Sequence, residues 1–155
     1  MTGIGFCERH FYLSFKIKAM HIQLHDHITL KEIKTVFSDF YPYLKLEFYS
    51  KPHLIYEASS EWDVLPDDKR LKDIKDIHID GVIDIQPTEK VTDLEFEFQR
   101  RFGLPVQVLR MEQGVWTQTT GMDMFTLKDV NQFSKNDSDE DLVDEYEEGF
   151  DELKT

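Results

Sequence analysis

The feature that most restricts this chain is a pattern of apolar residues that occurs twice, about 61 residues apart. In the first copy Ile22 and Leu24 alternate with polar residues as a short strand. Leu30, Ile33, Val36, Phe37, Phe40 and Tyr41 then recur at the spacing that lines one helical face. Thr29 with Glu32 three residues on predicts a capping box at the start of that helix, and Pro42 ends it. Leu44, Leu46 and Phe48, alternating with Lys45 and Glu47, predict a half-buried strand. The second copy offers Ile83 and Ile85 as a strand, Val91, Leu94, Phe98 and Phe102 as a helix stripe, Gly103 as its stop, and Val106 and Val108 as the returning strand.

Phe37 then matches Phe98, Tyr41 matches Phe102, and Leu46 matches Val106 after a one-residue deletion. The match continues, because Trp62 followed by Leu71-Lys72-Asp73-Ile74 is echoed by Trp116 followed by Leu127-Lys128-Asp129-Val130. Helix starts of this kind are common enough to coincide by chance, but the combined matches favour an internal duplication in which each copy closes with a short helix.

These elements predict an α+β fold of duplicated strand-helix-strand units. Gln113-Gly114, between Val108 and the run from Val115 to Thr119, has the length and the glycine of a hairpin turn, which makes those strands antiparallel. Two right-handed units sharing one mixed or antiparallel sheet give a ferredoxin-like plan with an added strand. Residues 20–133 are expected to form this single domain, with repeats at about 21–79 and 82–133. Residues 50–80 are expected to be a long connection carrying some strand, punctuated by Lys51-Pro52, Ala58-Ser59-Ser60 and Pro66-Asp67-Asp68. Residues 1–19 are either a leader or an extra strand. Phe11, Leu13, Phe15 and Ile17 alternate out of phase with Met20, Ile22 and Leu24, which a bulge or a natural start at Met20 would explain.

Composition narrows the function classes. A chain of 155 residues suits one core, and no run approaches the roughly 20 apolar residues of a membrane-spanning helix. The single cysteine, Cys7, permits no internal disulfide and points to a reducing cytoplasm. The net charge of -13 argues against a nucleic-acid-binding face, since phosphate recognition needs clustered Lys and Arg. Residues 136–155 hold ten Asp and Glu against one Lys, so most of the acidity belongs to a C-terminal tail at 134–155, expected to be disordered in isolation.

Chemistry-bearing motifs are sparse. His25-Asp26-His27 is the one cluster with metal-ligand chemistry: in a strand His25 and His27 would share a face, although a zinc site needs three or four ligands and none follows at suitable spacing. A polar turn is the simpler account of the cluster. There is no Gly-x-Ser-x-Gly turn and no phosphate-cradling glycine loop, so catalysis is not expected and no cofactor is implied. Glu95 and Glu97 read as the solvated face of the second helix, and Arg100-Arg101 as complements to its dipole. Trp62 and Trp116 read as core or sheet-face packing, with ligand stacking the less favoured use.

The tail carries the most suggestive pattern. Val143, Tyr146, Phe150 and Leu153 fall three, four and three residues apart within the acidic run, which would place them on one face of a helix docking onto a basic or groove-bearing protein partner; a solubilising tail whose apolar residues are incidental is the simpler account. The leading expectation is therefore a non-enzymatic interaction or adaptor protein, monomer or homodimer, that binds neither nucleic acid nor membrane. A small-ligand or metal-binding regulatory domain, with a cleft where the two units meet, is the alternative. An acidic mimic of nucleic acid is a third.

Tyr41-Pro42-Tyr43-Leu44-Lys45-Leu46-Glu47-Phe48 and Gly114-Val115-Trp116-Thr117-Gln118-Thr119-Thr120 resemble segments of a family of short bacterial proteins with no assigned activity. The resemblance would cover residues 20–133 and implies a bacterial cytoplasmic setting. It transfers no functional residue.

Overall fold

A computed structural model describes residues 19–54 and 57–151, with side chains described as far as residue 139. The expectations for residues 1–18 and for the side chains of Val143, Tyr146, Phe150 and Leu153 lie outside these described residues. The elements run β1 (Met20–His25), α1 (Leu30–Phe40), β2 (Leu44–Phe48), α2 (Leu71–Ile74), β3 (Asp80–Ile85), α3 (Val91–Phe102), β4 (Val106–Glu112), β5 (Val115–Gln118) and α4 (Leu127–Asp151). Among the described residues no helix is long and apolar enough to cross a membrane.

Local chemistry sets the helix ends. Thr29 Oγ1 accepts the Glu32 amide at 3.2 Å while Glu32 Oε2 accepts the Thr29 amide at 2.8 Å, the reciprocal capping box that the sequence predicts. Gly103 ends α3 with φ +61, and its amide bonds back to Gln99 and Phe98. Gln113 and Gly114 both take positive φ, which matches the right-handed twist of the β4–β5 hairpin they connect.

The strands do not share one sheet, which corrects the ferredoxin-like expectation. β1 pairs antiparallel with β3, and separately β2, β4 and β5 form an antiparallel sheet in that order. Each unit thus finds its strand partners in the other unit. The alternation of apolar residues fixes which face of a strand is buried, but it does not specify which strand supplies the hydrogen bonds.

Each interunit ladder contains a matched pair: Ile22 faces Ile83, and Glu47 faces Gln107. The backbone bonds joining each long connection to its helix also correspond. Leu30 N–H donates to Lys69 O and Leu71 N–H to Ile28 O, while Val91 N–H donates to Phe125 O and Leu127 N–H to Glu89 O. Lys31 N–H reaches Asp67 O as Thr92 N–H reaches Asp123 O, and Lys72 to Asp26 is mirrored by Lys128 to Pro87. The bridge between Tyr49 and Val64 occupies the place that the pairing of Leu109 with Gln118 holds in the second half.

One core lies between the sheets and helices. It takes Ile22, Leu24, Ile83 and Ile85 from the small sheet, Leu44, Leu46, Phe48, Val106 and Val108 from the large one, and Leu30, Ile33, Phe37, Leu94 and Phe98 from α1 and α3. Phe48 and Phe98 meet edge to face with ring centroids 5.7 Å apart. Val36, placed on the buried stripe by its spacing, sits at the stripe's margin and is 41% exposed.

Two further expectations change. Trp62 is 96% exposed rather than packed: the single 3₁₀ turn at Glu61–Asp63, capped by Ser60, replaces the strand that carries Trp116 in the second half. Trp116 stays partly buried beneath the Lys45 ammonium, 5.3 Å from its ring centre. α4 continues past the boundary expected at 134. Ser134 is fully buried, and Arg110 of β4 donates to Asp137 at 3.2 Å, so the start of the acidic segment is tied to the large sheet.

Candidate functional site

The candidate site forms where α3 meets the connection after β2. Val91, Leu94 and Phe98 point α3 into the core, and Glu95 lies on the same stripe, four residues after Val91 and three before Phe98. Glu95 is 8% exposed, which corrects its assignment to the solvated face. Glu97 does lie on the outer side, where it accepts from Arg101 one turn on.

Two bonds hold the buried carboxylate. Oε1 accepts the Val108 amide of β4 at 2.8 Å, and Oε2 lies 3.4 Å from His53 Nε2. Burial pushes the Glu95 carboxyl above its ordinary range, against the pull of those two donors. The hydrogen bond to Glu95 raises the His53 imidazole, and the charges of Asp123 and Glu57 act in the same direction.

His53 belongs to a polar array that fastens the 50–60 connection to the large sheet. Its Nδ1 lies 3.1 Å from Ser59 Oγ. The Ser59 amide donates to both Gln107 Oε1 (3.1 Å) and Gln118 Oε1 (3.0 Å), and Gln118 Nε2 returns a bond to the Ser59 carbonyl at 2.9 Å. Serine, imidazole and carboxylate stand in the order of a nucleophile, base and orienting acid. The contact between His53 and Glu95 is long for a charge-assisted bond, and Ser59 is not part of the cavity wall. The geometry serves the connection's anchorage better than nucleophilic attack.

Beside this array opens a cavity of about 290 Å³. Pro52, Phe96, Pro105 and Val106 give it apolar walls; His53, Thr92, Asp93, Glu95, Gln99 and Asp123 supply its polar groups. Asp123 is 5% exposed, and its Oδ2 accepts the Gly121 amide at 3.2 Å. Among the described residues no basic side chain lies within ion-pairing distance of it. Gln99 Oε1 is buried with no hydrogen-bond partner. Phe96 is 63% exposed at the rim. The cavity thus sets two buried carboxylates in its wall without a lysine or arginine beside them, and its chemistry suits a ligand that brings protons or positive charge.

The histidine cluster stands elsewhere. His25 closes β1, and its Nδ1 accepts the amide of His27, which lies in the following turn rather than in the strand. Asp26 between them accepts the Ile79 amide at 2.7 Å and pairs with His78. Among the described residues no group of three or more His, Cys, Asp or Glu is placed to hold a metal ion.

No periodicity or motif points to His53, which sits in an irregular connection 42 residues before its partner. Glu95 was signalled by its place on the apolar stripe. Comparison with protein-family models, with curated proteins and with solved structures finds no match.

Proposed function

We propose that this protein is a small-ligand-binding domain without catalytic activity, and that its site is the cavity between α3 and the 50–60 connection. The observation that carries this reading is a pair of carboxylates, Glu95 and Asp123, each more than nine-tenths buried on the wall of an open, partly apolar cavity. Burying a carboxylate is costly unless it is compensated, so such groups at a cavity wall mark a place where a ligand completes the compensation. The corresponding backbone bonds of the two halves support an origin by duplication, with the site specialised in the second copy. A fragment library screened by two-dimensional NMR tests the reading: bound compounds should shift the amides of Thr92, Phe96 and Val106, and Phe96→Ala should weaken them. A library that leaves those amides unmoved would refute it.

Docking of the acidic segment into a basic partner is the second reading. It draws on the continuous helical backbone of α4 to Asp151, which keeps positions 143, 146 and 150 at helical spacing. Deleting residues 136–155 should then release the partner from affinity-purified protein, and an unchanged set of partners would exclude this reading.

A further inference from the structure

The first half of the molecule contains a counterpart of the candidate cavity, lined by lysines where the candidate cavity has none, and at one matched helix position the charge is reversed. A recess of about 380 Å³ is lined by Lys31, Lys34, Thr35, Ser38, Lys45 and Asp67, among others. In the repeat register these six correspond to Thr92, Glu95, Phe96, Gln99, Pro105 and Asp123 of the acidic cavity. The matched bonds from Lys31 N–H to Asp67 O and from Thr92 N–H to Asp123 O place the two recesses in the same relation to their helices.

In the first half the recess supplies its own cation. The Lys34 ammonium, 13% exposed, lies between the carboxylates of Glu47 and Asp67. In the second half the carboxylate of Asp67 is kept as Asp123, but the lysine is replaced by Glu95. Two buried carboxylates stand where the first half has an ion pair, and among the described side chains only His53 lies opposite them, 3.4 Å from Glu95. The Gln99 Oε1 atom, at the position of Ser38, adds a buried acceptor without a donor.

We infer that the cavity binds an aliphatic primary amine whose ammonium group takes the role that the Lys34 ammonium has in the first half. This rests on the ligand-binding reading above and names its ligand class. An ammonium carries three donors and no acceptor, which suits the carboxylates of Glu95 and Asp123. The lysine side chain is itself a butylammonium, so the first half shows the fold accommodating that group beside the retained aspartate. Pro52, Pro105 and Val106 cover the alkyl chain, and the exposed ring of Phe96 offers a cation–π face to a second ammonium at the mouth.

The test is calorimetric and NMR titration of the full chain with butane-1,4-diamine and butylamine, against butyramide and butyrate as neutral and anionic isosteres. The amines should bind at least about tenfold more tightly than either isostere, a difference of about 1.4 kcal/mol. Asp123→Asn, which keeps an oxygen for the Gly121 amide, should weaken the amines at least about tenfold, while its unfolding midpoint shows that it remains folded. Glu95→Lys should remove amine binding by restoring the arrangement of the first half. Equal binding of butyramide or butyrate in the cavity would overturn the amine assignment and leave the ligand-binding reading standing. Undiminished amine binding by Asp123→Asn would overturn the assignment too, and a cavity that binds no compound of any class would overturn both.

Discussion

Glu95 bears on both stability and function, and truncating it separates its roles. Glu95→Ala removes the acceptor of the Val108 amide, which lies in the interior, and the partner of His53. A buried amide left unpaired costs about 1–3 kcal/mol, and loss of the bond to a largely buried imidazole about 1 more. Against this stands relief of the burial that raises the Glu95 carboxyl, which offsets part of the loss. The net expectation is a loss of about 2 kcal/mol, or a fall in Tm of about 4–8 °C for a domain of this size. Glu95→Gln keeps an oxygen for Val108 and fills the same space, so it should stay within about 1 kcal/mol of the parent. Urea unfolding at neutral pH, followed by circular dichroism, measures all three proteins. If the alanine variant matched the parent, or the glutamine variant were as damaged as the alanine one, Glu95 would not be the anchor between α3, β4 and the 50–60 connection.

Four further outcomes are expected. Phe98→Ala should cost about 3–5 kcal/mol in urea unfolding through the cavity it leaves against Phe48, whereas Phe96→Ala, two positions along the same helix, should cost less than about 1. Thr29→Ala should lower stability by about 1 kcal/mol through loss of the capping box, with Ser at that position restoring most of it. The folded-state pKa of His53 is raised, so its contribution is fully present below the ordinary value of 6.5 and is lost as pH rises through the folded value; the stability difference between parent and His53→Gln should shrink over that window. Burial pushes Glu89 up to about 7, so its favourable protonated form is lost as pH rises from 4.5 through 7, and Glu89→Gln should be the more stable protein at pH 8 and near parity at pH 4.

Much of the fold was legible where a local rule decides the outcome. Thr29 and Glu32 announced the start of α1, Gly103 the end of α3, and Gln113-Gly114 the β4–β5 hairpin, because capping geometry and positive φ depend on a few neighbouring residues. Strand partnership was not legible: Ile22 and Leu46 show the same alternation whether they pair within one unit or across two. The site was missed, Glu95 being read as part of the solvated face. Glu95 interrupts an apolar stripe, a signal that a carboxylate goes inward and needs a partner, but the partner comes from a connection with no periodicity to read. Trp62 shows the opposite failure, since its match with Trp116 in sequence does not carry a match in environment.

The exchange of strand partners between the units has a consequence for how the chain acquires its structure. His25 meets Asp80, and Met20 meets Ile85, so the nearest residues of the small ladder are 55 positions apart and the farthest 65. The β2–β4 ladder spans a similar interval, from Phe48 with Val106 to Leu44 with Arg110. Closing loops of that length precedes any reward from pairing, so folding should be slow compared with a helical bundle of equal length. On a ribosome adding about 5–20 residues per second, β1 remains without its hydrogen-bonding partner for several seconds after its synthesis. During that interval its apolar face, Met20, Ile22 and Leu24, is kept from other chains only by α1, whose capping box and aromatic stripe are complete as soon as Tyr41 has been made.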